Sequence, residues 1–160
     1  MSRKKIKIKN KILPDIKFNS ILVSKFINIV MKNGKKSLAL KIVYSLLNMI
    51  KLKINKNEID LLEEIINKVR PMVEIKSRKI GGSTYNVPFE INDNRKNSLA
   101  LKWIVKFSRK RSGNSMIEKL YDEIIDISQN KGLSIKKRDE IHKIADSNKA
   151  FSYYKWNNKK

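Results

Sequence analysis

Residues 69–91 read Val-Arg-Pro-Met-Val-Glu-Ile-Lys-Ser-Arg-Lys-Ile-Gly-Gly-Ser-Thr-Tyr-Asn-Val-Pro-Phe-Glu-Ile, the one stretch whose apolar residues alternate with period two. Val73 and Ile75 on the way out are matched by Tyr85, Val87, Phe89 and Ile91 on the way back. Alternation interrupted by Gly81-Gly82 predicts a β-hairpin. Putting both apolar sets on one face requires an odd-numbered loop, so a three- or five-residue turn using the positive-φ freedom of glycine is expected. The base, with Val73, Ile75, Val87, Phe89 and Ile91, can anchor on a helical body. The outer half, with Lys76, Ser77, Arg78, Lys79, Ser83, Thr84 and Asn86, is polar on both faces and should project. An isolated two-stranded ribbon is marginal in water, so a partner is expected, and cationic and hydroxylic side chains are ligands for phosphate and sugar. The glycine pair is no phosphate-binding P-loop, because the Gly-Lys-Ser/Thr ending is missing.

Around this hairpin the periodicity is helical, and the fold class expected is mainly α: a six-helix bundle with a protruding two-stranded β-hairpin between the third and fourth helices. The first helix starts at Ser20 as N-cap, carries Ile21, Leu22, Phe26, Ile27, Val30 and Met31 inward, and stops at Gly34. The second spans about Ser37 to Lys51 on Leu38, Ile42, Val43, Leu46, Met49 and Ile50. The third spans about Asn57 to Arg70 on Leu61, Leu62, Ile65, Ile66 and Val69, ended by Pro71. Asn92 to Asn94 cap a fourth with Leu99, Ala100, Trp103, Ile104 and Phe107 inward. The fifth opens with the capping box Ser115 to Glu118 and closes at Gly132, and the sixth begins near Ser134 on Ile141, Ile144 and Ala145. The 160 residues read as one domain, with a basic arm at 1–12, the hairpin arm at 72–91 and a polar tail at 157–160.

Charge narrows the function. Thirty-seven basic against fifteen acidic residues give a net charge of +22, which a polyanionic partner would neutralise. No long apolar run or lipidation motif supports a membrane partner. The lack of cysteine excludes a disulfide frame, a thiol nucleophile and a zinc ribbon. Eight of the fifteen acids lie on the third and fifth helices (Glu58, Asp60, Glu63, Glu64, Glu118, Asp122, Glu123 and Asp126), so those helices should face away from nucleic acid. The second, fourth and sixth helices instead open with Lys35-Lys36, Arg95-Lys96 and Lys136-Lys137-Arg138. Cations at the positive end of a helix dipole cost a few tenths of a kcal/mol up to about one each, and such starts make sense as phosphate sites. Lys102, Lys106 and Arg109 form a stripe on the fourth helix that Lys110 and Arg111 continue. The RNA-binding candidates are these residues together with Arg3, Lys4 and Lys5 of the arm, Lys76, Arg78, Lys79, Gly81 and Gly82 of the hairpin, and Trp156, placed to stack on a base.

Catalysis has little to stand on. The one histidine, His142, reads as solvated or as a phosphate contact, and the paired acids Asp139-Glu140, Glu63-Glu64 and Asp122-Glu123 read as helix-surface charge rather than as a metal site. No catalytic residue, metal or cofactor is expected. A DNA-architectural protein with a basic β-arm is the alternative, although such arms usually carry an apolar wedge at the tip, where only Ile80 qualifies.

Four stretches resemble the bacterial type of small-subunit ribosomal protein seven: Lys11-Ile-Leu-Pro-Asp15; residues 25–37 with Ile42-Val-Tyr-Ser45; Val69 to Glu90; and residues 97–105. Residues 136–145, with Asn148-Lys-Ala-Phe151 and Trp156, fit as well, so the similarity runs end to end. The resemblance implies six helices with a protruding ribbon in the head of the small subunit. It implies primary binding to the head domain of small-subunit ribosomal RNA that nucleates head assembly. It also implies a place near exit-site transfer RNA and messenger RNA, with the ribbon reaching toward ribosomal protein eleven. The implied location is the ribosome of a bacterial cytoplasm, with an organellar matrix or stroma as the alternative. Lys4, Lys5 and Lys79 stand where the family pattern has arginine.

Overall fold

The computed structural model describes residues 12–54 and 57–154; the basic arm from Arg3 to Lys5 and Trp156 lie outside the described residues. The order is α1 (Ile21–Val30), α2 (Lys36–Ile54), α3 (Glu58–Val69), β1 (Val73–Ile80), β2 (Ser83–Glu90), α4 (Asp93–Lys110), α5 (Met116–Ser128) and α6 (Leu133–Ser147), then a 3₁₀ segment at Lys149–Tyr154. The expected class, a helical body with a hairpin between the third and fourth helices, is what the chain adopts.

The core lies where α1, α2, α3, α4 and α5 meet. Phe26, Leu46, Leu47, Ile50, Leu62, Ile65, Leu101, Ile104, Leu120 and Ile124 are almost completely buried. Burying a side chain of this size contributes about 1.5–3 kcal/mol. The faces differ slightly from the periodicity reading. On α4 the buried set is Ala100, Leu101, Ile104, Val105 and Ser108, while Leu99, Trp103 and Phe107 are only half-buried. Ser108 tolerates burial because its hydroxyl donates to the Ile104 carbonyl at 2.8 Å. On α2, Leu38 and Met49, expected inside, are exposed, and Ala39 and Leu47 take the core positions.

Two helices also stop ahead of the glycines expected to end them: α1 ends at Val30, before Gly34, and α5 at Ser128, before Gly132. Asn130, at φ 60°, closes α5, with Lys131 N–H donating to the Asp126 carbonyl at 2.8 Å. Gly132 instead stands as N-cap of α6, and a Cβ there would lie 2.9 Å from Ile127 Cγ1 and 3.1 Å from Glu123 Oε1. Ser115 caps α5 as expected, its Oγ accepting from Glu118 N–H at 3.2 Å.

The hairpin corrects the loop expectation. Ile80 pairs with Ser83, leaving a two-residue turn in which Gly81 and Gly82 both have positive φ, 56° and 89°. Glycine's freedom allows this turn, and with positive φ at both central residues its twist suits a right-twisted ribbon better than a type I or II turn would. An even loop sets Ile75 opposite Pro88 and Lys76 opposite Val87, so the apolar residues divide between both faces. The neighbours Val87 and Pro88 are both buried, although successive strand residues point opposite ways. The base is therefore covered on both sides. The ring of Tyr85 lies 4.5 Å from that of Phe151 in the 3₁₀ segment, and Pro88 borders a cleft with His142 and Ala145 of α6. Lys76, Ser77, Lys79 and residues 81–84 are exposed, as the polar outer half requires.

Candidate nucleic-acid interface

The turn between α1 and α2 brings the C-terminal end of α1 and the start of α2 beside the last turns of α4. Asn33 and Gly34 take positive φ there (53° and 73°), the left-handed conformation that lets the chain reverse over so few residues. Lys35 at this turn, Lys102 and Lys106 on α4, and Lys32 just before the turn make no ion pair among the described residues. Arg109 joins them, its guanidinium donating to the Val30 carbonyl at the end of α1 at 3.1 Å. One groove is lined by Lys32, Lys35 and Arg109, and a neighbouring shallow groove by Lys102, Lys106 and Arg109. Arg109 belongs to both, which makes the two a continuous basic surface. Lys36 is exposed at the first position of α2, which has no acidic residue in its first turn. Lys110, at the end of α4, is exposed, its ammonium 5.9 Å from the Phe107 ring centre.

The other two cationic helix starts differ from the sequence expectation. Helix α4 begins at Asp93, so an acid does sit at its positive end. Lys96 pairs with Asp93 at 3.0 Å, Arg70 pairs with the same carboxylate at 2.9 Å, and Arg95 pairs with Glu74 of the hairpin at 2.7 Å. The hydrogen bond from Lys96, and its charge, hold the Asp93 carboxyl below the usual range, while Glu74 raises Arg95 further above an already high value. On α6, Lys136 is exposed, Lys137 pairs with Glu140 at 2.9 Å, and Arg138 donates to Asp139 at 2.6 Å and to the Lys68 carbonyl at the end of α3. The anion at the α6 N-terminus comes from the chain itself. Glu123 Oε1 accepts from Ser134 N–H at 3.0 Å and from Ser134 Oγ–H at 2.7 Å.

Glu123 is thus not surface charge. It is fully buried, and its other oxygen accepts from Arg111 Nε–H at 2.7 Å, while Arg111 also bonds Asp126. Burial works against the Arg111 charge, but the hydrogen bonds it donates to Asp126 and Glu123, with their charges, outweigh it and leave the guanidinium still more firmly protonated. Arg111, a candidate RNA ligand by sequence, is engaged in joining α4, α5 and α6. On the hairpin, Lys76 is exposed with its ammonium 5.4 Å from the Phe89 ring centre, Lys79 is exposed, Arg78 is half-buried opposite Tyr85, and Gly81 and Gly82 form the exposed tip. His142 accepts from Met72 N–H through Nε2 at 3.1 Å, holding α6 to the start of the hairpin rather than standing free in solvent.

Two features escaped the sequence reading. Lys32 sits inside the Met-Lys-Asn-Gly-Lys-Lys run that carries the resemblance, yet nothing in its spacing set it apart. Asp15 is buried; its Oδ2 accepts from Lys17 N–H at 3.1 Å, and the Tyr44 hydroxyl lies 2.9 and 3.0 Å from its two oxygens. Among the described residues no group of histidine and carboxylate side chains could hold a metal ion, and no helix is long and apolar enough to cross a membrane.

Residues 2–149 match the family model for ribosomal protein S7p/S5e. The chain belongs to that family. It is similar to small ribosomal subunit protein uS7 of Wigglesworthia glossinidia brevipalpis, 50% identical over 98% of this chain and 100% of that protein. The uS7 protein of Buchnera aphidicola subsp. Cinara cedri matches at 50% with the same coverage. That of Aliivibrio salmonicida matches at 49%, again over 98% and 100%. Membership makes the chain an RNA-binding ribosomal protein without catalytic activity.

Proposed function

We propose that this constituent of the small ribosomal subunit binds the head domain of small-subunit ribosomal RNA directly and early, and nucleates folding of that domain. The observation that carries the reading is the convergence of Lys35, Lys102, Lys106 and Arg109, with Lys32, on one surface, while exposed acids such as Glu63, Glu64 and Asp122 lie on α3 and α5. Cations without internal partners release counterions when they meet phosphate, and that release supplies most of the affinity. The whole chain acts as one RNA-binding unit. Lys36, Lys110 and Lys136 extend the surface, Arg3, Lys4, Lys5 and Trp156 add contacts from the two ends, and the internally paired Arg95, Lys96, Lys137 and Arg138 contribute by exchanging partners. The exposed half of the hairpin reaches toward ribosomal protein eleven, exit-site transfer RNA and the messenger RNA path, in a bacterial cytoplasmic ribosome.

Competition binding at fixed salt tests the reading. A folded head-domain RNA fragment should displace a labelled copy of itself at concentrations at which duplex DNA of equal length does not. Equal competition by the duplex would favour a DNA-architectural role.

A further inference from the structure

The groove beside the α1–α2 turn has an apolar floor. Met31, Leu38, Ile42 and Met116 line it, Leu38 being 52% exposed although it begins a core-facing helix. Its rim is cationic, made by Lys32, Lys35 and Arg109. The volume is about 360 Å³, within the ~300–1,000 Å³ of small-ligand sites. An apolar floor is of no use to a phosphate, and a cationic rim is of no use to an apolar side chain. The combination suits a flat, weakly hydrated ring attached to anions. A nucleotide turned out of its stack has that chemistry, and exposed bases are commonly held against apolar surface or an arginine plane. The two methionines, unbranched and polarisable, can adapt to either face of such a ring.

We propose that this groove receives one unpaired base of the bound RNA, with the base lying on Leu38, Ile42 and the methionines beside the Arg109 guanidinium. Its flanking phosphates meet Lys32 and Lys35. The inference rests on the RNA-binding reading above and adds to it a site that reads a single extruded base. The surface then recognises RNA shape, because a continuous duplex offers phosphates but no base to fill the floor.

The test uses the full-length protein and the head-domain RNA fragment, with each unpaired nucleotide replaced in turn by an abasic one that keeps every phosphate. At one position the loss of the base should weaken wild-type binding by roughly 5- to 100-fold. Leu38→Gln, at an exposed site, should leave the circular dichroism spectrum and melting unchanged and weaken binding to intact RNA comparably. The two losses should not multiply when combined, whereas Leu38→Met should bind like wild type. If no abasic position couples to Leu38→Gln while affinity for intact RNA still falls steeply with salt, the groove holds no base and this inference is overturned alone. If intact RNA binds weakly and without salt dependence, the RNA-binding reading falls with it.

Discussion

At Glu123, an acid counted by sequence as surface charge serves as the cap of another helix. With its carboxylate buried against Arg111 and Ser134, removing it takes the acceptor from the α6 N-terminus and leaves Arg111 with Asp126 alone. Glu123→Ala should cost roughly 1–3 kcal/mol in urea unfolding, because the buried Ser134 N–H and hydroxyl lose their acceptor. A loss under about 1 kcal/mol would mean that water replaces the carboxylate readily. Tyr44 carries a pH-dependent counterpart. Burial, then the hydrogen bond to Asp15 and the Asp15 charge, raise the pKa of its hydroxyl above 10. A raised folded-state value means that its contribution is fully present below about pH 10 and is lost as pH rises through the folded value. Tyr44→Phe should cost roughly 1.5–3 kcal/mol at neutral pH, as for a hydrogen bond to a charged group. The gap between wild type and variant should narrow above pH 10; a gap constant to pH 11 would contradict the assignment. Neither pairing was legible in sequence, because Asp15 and Tyr44 are 29 residues apart and no local pattern reports a tertiary contact.

Among the elements, the hairpin shows what periodicity conveys and what it omits. Alternation located the ribbon and its polar outer half, but the register is decided by the turn. Two adjacent glycines at positive φ favoured the even loop over gathering the apolar residues on one face. Both faces of the base could then be buried because α6 and the 3₁₀ segment cover it, an arrangement invisible to a strand considered alone. The register also states where to cut. Replacing Lys79 to Thr84 by Asn-Gly keeps the Arg78–Tyr85 pair and the Tyr85–Phe151 contact, and should change stability by no more than about 0.5 kcal/mol. Subunits reconstituted with this protein should nevertheless retain exit-site transfer RNA poorly. Wild-type retention together with a destabilised protein would make the hairpin a structural element. Helix boundaries were similarly legible where a cap is local, as at Ser115. They shifted where one residue could serve either of two helices, as Gly132 does for α6 rather than α5.

For the whole molecule, sequence showed that acids and bases are segregated by helix but not which bases remain without partners. Of the three cationic helix starts, those of α4 and α6 are largely engaged by Asp93, Glu74, Glu140 and Asp139, leaving the α1–α2 turn and the α4 stripe as a positive surface without ion pairs among the described residues. That difference arises from folding, which brings Glu74 of the hairpin to Arg95, 21 residues away. The direct measurement is the slope of log affinity against log salt for the head-domain RNA fragment. Lys35→Ala combined with Lys106→Ala should lower the slope by roughly one to two units, at ~0.7–0.9 per phosphate contact. Glu63→Gln combined with Glu64→Gln should leave it nearly unchanged. An unaltered slope in the lysine pair, or an equal change in the glutamate pair, would contradict the assignment of this surface to RNA.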